Sequence, residues 1–452
     1  MRKSIALLVF LIGLAVPGRP GQQPALGETD TLILKSRAMI ASLAGGDFAA
    51  AAKDFDATML KLSGPDKLAE FWKGVPANLG VFRRQTAARR AKEEPYDVVF
   101  VTCDFAKMTL DAKVVFDREG RIAGFFFVPS LPSAEYQPPA YADPSLFEEK
   151  DVTAGAPDWP LAAVLTVPKG DGPFPGLVLV HGSGPNDKDE TVGPNKPFRD
   201  LAWGLAARRI AVLRYEKRTK AYGMKYQADP KLLASLTVRE ETVDDALAGL
   251  ALLRATPKIA PAKVFLLGHS LGGMLVPRIA RGPGGETAAG LIIMAGLTRP
   301  IDATYLRQMT YLFALDGSLS EDDRSKLEEI KGQLAGIRAL TEADAEKGER
   351  ILNASARYWL DLRDYIPAET VRKVRAPLLI LQGSRDYQVT TEDFENWKNA
   401  LAGRDDVVFK LYPKLNHLFI EGAGIPTPAE YTQKAGNVAV YVVEDIAAWI
   451  KR

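Results

Sequence analysis

KVFLLGHSLGGM, Lys263 to Met274, changes character in its middle. Val264 to Leu267 are apolar and suit a buried strand. Gly268-His269-Ser270-Leu271-Gly272-Gly273 then gives a hydrophobic core almost nothing to pack. A helical pattern follows. Gly-x-Ser-x-Gly between a strand and a helix is the setting of a nucleophile elbow, a strained turn that lifts the serine hydroxyl above the sheet. Glycines flanking the serine let strand and helix approach closely. The helix N-terminus behind it offers free amides and a positive dipole end. Ser270 is therefore the candidate nucleophile. A plain glycine-rich turn is the alternative.

Outward from this stretch the chain alternates strands and helices. LAAVLTVP, GLVLVHGSG, IAVLRY, KVFLLG, AGLIIMAG, APLLILQG and VVFKLY have strand length and composition. Between them lie amphipathic helices such as FRDLAWGLAARR, and TVREETVDDALAGLALLRAT with a capping box from Thr237 to Glu240. The pattern predicts an α/β fold, a mostly parallel sheet covered on both faces. One segment breaks it. From about residue 301 to 365 the sequence is helical without a good strand, an insertion expected to cap the C-terminal edge of the sheet, where such folds bind ligands.

A serine hydroxyl needs a base. The chain has three histidines. His269 is next to Ser270 and is expected to point away. His181 comes before an early turn. His417, in YPKLNHLFIEG after the last strand, remains as the base. Triad partners behind a nucleophile elbow follow in the order serine, acid, histidine. Asp386, just past the strand LLILQG, fits that order. Asp361 and Asp364 fall in the insertion and Asp393 in a helix, so they rank behind it.

HGSGP, His181 to Pro185, directly follows a buried strand and can aim backbone amides at a tetrahedral oxygen. The expected oxyanion donors are the amides of Leu271 and Ser183, with Gly184 as the fallback for the second. His181 either braces this loop or meets substrate. Tyr215, Lys217 and Arg218 in RYEKR either contact a substrate carboxylate or form ion pairs that shape the oxyanion turn.

GHSLG, HGSGP, GSRDYQV and LNHLF together make residues from about 147 to 452 resemble an α/β-hydrolase, similar to bacterial carboxylesterases related to acyl-peptidase and dienelactone-hydrolase-like proteins. The resemblance implies a serine esterase acting on small acyl esters through Ser270, Asp386 and His417, by way of an acyl-enzyme and without a cofactor. A peptidase or amidase with the same triad, and an inert binding or sensor protein, are the alternatives.

Upstream lies a small α+β unit, residues 28–128, with helical spacing first and strands after. It resembles the nuclear-transport-factor-like domains. Its single cysteine, Cys103, sits in an apolar run and is expected to be inert core. A proline-rich stretch, 129–145, reads as a stiff linker to the hydrolase part, 146–452. Arg2 and Lys3 followed by the apolar run Ile5–Val16 read as an export signal within a leader of residues 1–27, with an uncleaved anchor as the alternative. A secreted or periplasmic enzyme follows, without stable membrane insertion once the signal is removed. A net charge of +2 without a basic stripe disfavours nucleic acid as a partner. Three scattered histidines and one cysteine give no metal-ligand spacing.

Overall fold

A computed structural model describes residues 30–93, 96–106, 108–130, 136–315, 317–352, 354–432 and 434–452. These fall into two compact units, one within 30–130 and one within 136–452. The leader expected over residues 1–27 lies outside the described residues. Among the described residues no helix is long and apolar enough to cross a membrane.

In the first unit, Asp30 accepts hydrogen bonds from the amides of Leu32 and Ile33 and starts the helix Thr31–Gly45. Ile33, Ser36, Ile40 and Leu43 bury one face of it. Helices Phe48–Ala52, Ala57–Ser63 and Pro65–Leu79 follow. Strands β1 (Phe82–Glu93), β2 (Tyr96–Phe105), β3 (Thr109–Phe116) and β4 (Ile122–Pro129) form an antiparallel meander. Val99, Val101, Cys103, Ala112 and Val114 join the helices in one core. Burial pushes the Cys103 thiol up to about 12, consistent with an inert core side chain. Strand β1 was not expected. Its sequence, FRRQTAARRAKE, lacks the apolar alternation that marks a strand, and it lies at the sheet edge, where among the described residues β2 alone pairs with it.

The second unit is built on an eight-stranded sheet. Its strands are β5 (Phe147–Ala154), β6 (Leu161–Pro168), β7 (Phe174–Val180), β8 (Ala211–Tyr215), β9 (Ile259–His269) and β10 (Leu291–Met294). After the insertion, with its two-residue pair β11 (Arg350–Ile351) and β12 (Ala354–Ser355), come β13 (Leu378–Gly383) and β14 (Val407–Tyr412). The order across the sheet is β14-β13-β10-β9-β7-β8-β6-β5. Both of β6's pairings are antiparallel; from β8 to β14 every pairing is parallel. Strands β7, β8, β10 and β13 are almost entirely buried, as a sheet covered on both faces requires.

Two features differ from expectation. The helix expected from Thr237 begins with a π-helical turn, Arg239–Val243, before the α-helix Asp244–Ala255. The insertion holds helices Ile301–Phe313, Glu321–Ala339, Glu342–Glu346 and Ala356–Arg363, but also the β11–β12 pair. The proline-rich stretch expected as a stiff linker is held in place at two described positions. Tyr136 donates to Asp200 at 2.7 Å and Tyr141 to the Val438 carbonyl at 2.7 Å, so both are fastened to the second unit.

Candidate active site

Strand β9 ends at His269, and the helix Leu271–Ala280 starts directly after Ser270. Ser270 is held at φ 54 and ψ −118, a strained conformation for a residue with a Cβ. Two bonds fix the turn: Ser270 N–H to the Met294 carbonyl at 3.0 Å, and Met274 N–H to the Ser270 carbonyl at 2.9 Å. The flanking glycines are needed for closeness. A Cβ on Gly268 would stand 2.3 Å from Gly272 O, and one on Gly272 would stand 2.3 Å from Val180 O. Any side chain at either position would push the helix off the strand ends.

Asp386 lies in the turn after β13. One of its oxygens accepts the amides of Gln388 at 2.8 Å and Val389 at 2.9 Å. The other accepts from His417 Nδ1 at 2.6 Å. Gln382 Nε2 reaches the same oxygen at 3.4 Å. This pairing assigns the proton to Nδ1 and leaves Nε2 as a lone-pair donor. Asn416 shapes the histidine turn, its side-chain oxygen accepting Leu418 N–H at 3.0 Å and Ile420 N–H at 3.2 Å. Ser270 and His417 line the same cavity, with Gly182, Ser183, Asn186, His269 and Tyr431 among its other walls. Asp386 and His417 are thus bonded to one another, Ser270 and His417 border one cavity, and the three residues follow strands β13, β14 and β9 at their C-terminal ends. The other acids are engaged elsewhere: Asp361 with Arg278 at 2.6 Å and Asp393 with Arg299 at 2.6 Å, while Asp364 is exposed.

The loop after β7 provides the opposite wall. Among the described residues, no group of the fold accepts the N–H of Ser183 or of Leu271. Gly182 N–H, by contrast, is taken by Glu190 Oε1 at 2.6 Å. His181 is a brace. It is buried, its Nε2 donates to the Tyr215 carbonyl at 2.6 Å, and its ring stacks on Phe198. Burial holds its pKa below the ordinary value. Tyr215 packs in the core. Lys217 is buried on Gly182 O and Glu241, and Arg218 on Asp245 at 2.5 and 3.0 Å. None of these three lines the cavity.

His269 departs from expectation. It does not point away. Its ring lies 4.6 Å from that of His417, centroid to centroid, and borders the cavity. Alternation of faces holds along a continuous strand, and the elbow at Ser270 ends that strand. His269 Nδ1 meets Glu190 Oε2 at 2.9 Å and Nε2 meets the His417 carbonyl at 2.9 Å. Glu190 is the residue that sequence reading missed. It sits at φ 51 in the charged run DKDET, and its role depends on a partner 79 residues away. Burial alone would lower the His269 pKa, but the charge and hydrogen bond of Glu190 outweigh it and the net direction is up. Glu190 moves the other way: burial raises it, but the charge and hydrogen bond of His269, together with His181 and the Gly182 N–H, outweigh that and the net direction is down. The two directions agree on an ionised pair.

The insertion reaches the same edge. Tyr311, on its first helix, stacks on Tyr387 with ring centroids 5.1 Å apart, and Tyr387 stacks on Tyr431 at 5.9 Å. Arg307 and Gln308 donate to the carbonyls of Tyr387 and Gln388 at 2.9 and 3.1 Å. The helix is thus tied to the Asp386 turn. Among the described residues no group of three or more histidine, cysteine or acidic side chains is arranged to hold a metal ion.

Residues 177–430 match the model of the alpha/beta hydrolase family. Residues 36–125 match a family described as a protein of unknown function (DUF3887). The chain is 39% identical over 384 residues to esterase EstD of Thermotoga maritima, covering 85% of this chain and 86% of that one. Among solved structures, a Pyrococcus furiosus esterase aligns with TM-score 0.41 and 14% identity, over 68% of this chain and 91% of that one. The esterase domain of a Rhodothermus marinus protein aligns with TM-score 0.39 and 20% identity, over 68% of this chain and 98% of that one.

Proposed function

The chain belongs to the α/β-hydrolase family, and from that premise we propose that it is a serine esterase cleaving small carboxylic esters through Ser270, His417 and Asp386. One observation carries the reading: His417 Nδ1 is bonded to Asp386 at 2.6 Å while its ring shares a cavity with the strained Ser270. The identity with a named esterase over most of both chains supports the choice of substrate class.

In this reading Ser270 Oγ attacks the ester carbonyl as His417 Nε2 takes its proton. Asp386 holds the ring tautomer and stabilises the imidazolium. The amides of Leu271 and Ser183 receive the oxyanion. His417 then protonates the leaving alcohol, and water, deprotonated by the same nitrogen, releases the acid from the acyl-enzyme. No step draws on a cofactor. The same proposal includes export from the cytoplasm, supported by the basic start and apolar run at the N-terminus. Cell fractionation tests that part: an enzyme that stays in the cytoplasm refutes it.

Hydrolysis of p-nitrophenyl acetate by parent and Ser270→Ala tests the chemistry, with a peptide anilide run alongside. The expected result is ester turnover lost by roughly 10⁴-fold or more in a folded variant. Parental turnover in Ser270→Ala, or a parent that cleaves only the anilide, refutes the proposal.

A further inference from the structure

Lys217 is a buried cation outside the reacting groups, and its contacts lead to the expected oxyanion loop. Its Nζ donates to Gly182 O at 2.8 Å and pairs with Glu241 Oε2 at 3.3 Å. Asn186 Nδ2 donates to the same carbonyl at 3.2 Å. The C=O and N–H of a trans peptide point in opposite directions. Drawing the Gly182 carbonyl toward Lys217 therefore turns the Ser183 N–H the other way. Gly182 lies against the elbow, since a Cβ built on it would stand 3.1 Å from Ser270 Cβ. Gly182 and Ser183 both line the cavity. A charged donor on the carbonyl also polarises the peptide and strengthens its N–H as a donor.

The cation is held in turn. Glu241 lies in the π-helical turn Arg239–Val243, a local irregularity that often marks a working site. Its two oxygens accept Thr219 Oγ1 at 2.7 Å and the Tyr358 hydroxyl at 2.8 Å. Tyr358 belongs to the helix Ala356–Arg363 of the insertion. That helix is docked beside the turn: Ser355 Oγ donates to the Leu236 carbonyl at 3.0 Å, and Asp361 pairs with Arg278 at 2.6 Å.

We propose that Lys217 is a positioning residue for the oxyanion hole, and that Glu241 and Tyr358 make its hold depend on the seating of the helix Ala356–Arg363. The line Tyr358–Glu241–Lys217–Gly182 connects the insertion to the amide that stabilises the transition state. This rests on the esterase reading above. A group that only orients the oxyanion donor acts on the transition state more than on bound substrate.

Parent, Lys217→Met and Tyr358→Phe in the full chain are compared with p-nitrophenyl acetate, with active sites counted by a fluorophosphonate titrant. Affinity for a boronic acid, whose tetrahedral adduct needs the oxyanion hole, is measured in parallel. Lys217→Met is expected to lower kcat per active site on the order of 10²-fold. KM should move by less than about threefold, and boronate affinity should fall with kcat. Tyr358→Phe, which removes one neutral donor, should shift kcat in the same direction by about 2- to 10-fold. A merely structural lysine would lower the thermal midpoint and the number of active sites but leave kcat per site at the parental value. That result in both variants overturns the proposal. If Lys217→Met does not fold, Tyr358→Phe decides alone: unchanged kcat per site refutes, reduced kcat at constant KM supports. A parent without ester turnover sinks the esterase reading and this inference with it, whereas an active parent beside unchanged variants sinks the inference only.

Discussion

Two histidine–carboxylate pairs stand side by side at the sheet edge, His417 with Asp386 and His269 with Glu190, their rings 4.6 Å apart. All four side chains are buried. What separates them is the second ring nitrogen. In His269 both nitrogens face acceptors that carry no proton, a carboxylate and the His417 carbonyl. Satisfying both needs a doubly protonated ring, in line with its raised pKa. Such a ring has no lone pair to offer. In His417, among the described residues, Nδ1 alone is committed to a side chain of the fold, and the ring borders the cavity with Ser270. Chemically similar pairs thus differ in what they leave free: one fastens the loop after β7 to the histidine turn, and the other is the pair proposed to move a proton.

The largest test of this contrast removes the proposed base and its support. His417→Ala is expected to lower kcat by about 10⁴- to 10⁶-fold. Asp386→Asn should cost about 10⁴-fold, by favouring the wrong tautomer. Steady-state rates on a p-nitrophenyl ester check both, and a parental rate in either variant would break the comparison. His269→Gln is expected to act through structure. It leaves Glu190 buried without its cation, at a cost of about 3–5 kcal/mol, read as a fall in the denaturation midpoint. Its kcat should fall less, about 10- to 100-fold, through misplacement of the neighbouring loops. A loss as large as that of His417→Ala would make His269 a participant in the chemistry.

The smallest effect sharpens the charge assignment. His269 has a raised pKa, so the stability it contributes is fully present below the ordinary histidine value and is lost as pH rises through the raised value. Glu190 has a lowered pKa, so its contribution is present above the ordinary carboxylate range and is lost as pH falls through the lowered value. The stability difference between parent and His269→Gln should therefore be greatest between these limits and shrink toward both acid and alkaline pH. Thermal midpoints across pH measure it. A difference that grows as pH rises past neutrality would contradict an ionised pair.

What the sequence revealed follows from which forces act locally. The elbow, the acid turn and the histidine turn each combine an apolar strand with a short loop, and that signature is local in the chain. Buried strands such as LLILQG stand out by composition. Two edge strands do not: β1 carries four arginines and a lysine, and most of β5, FEEKDVTA, faces solvent, so neither has the apolar signal that the edge strand β14, VVFKLY, keeps. Glu190 and the inward turn of His269 escaped because their reason for burial is each other, across 79 residues. The alternatives for Lys217, substrate contact or loop shaping, were separable only once its ammonium was seen on Gly182 O.

The site of covalent capture tests directly whether Ser270, activated by His417, is the nucleophile. Parent protein is treated with a fluorophosphonate, digested, and the modified peptide sequenced by mass spectrometry, with Ser270→Ala and His417→Ala treated in parallel. One adduct on Ser270 is expected in the parent, none in Ser270→Ala, and capture slowed by orders of magnitude in His417→Ala. An adduct on another residue such as Ser183, or capture of Ser270 at the parental rate without His417, would contradict it.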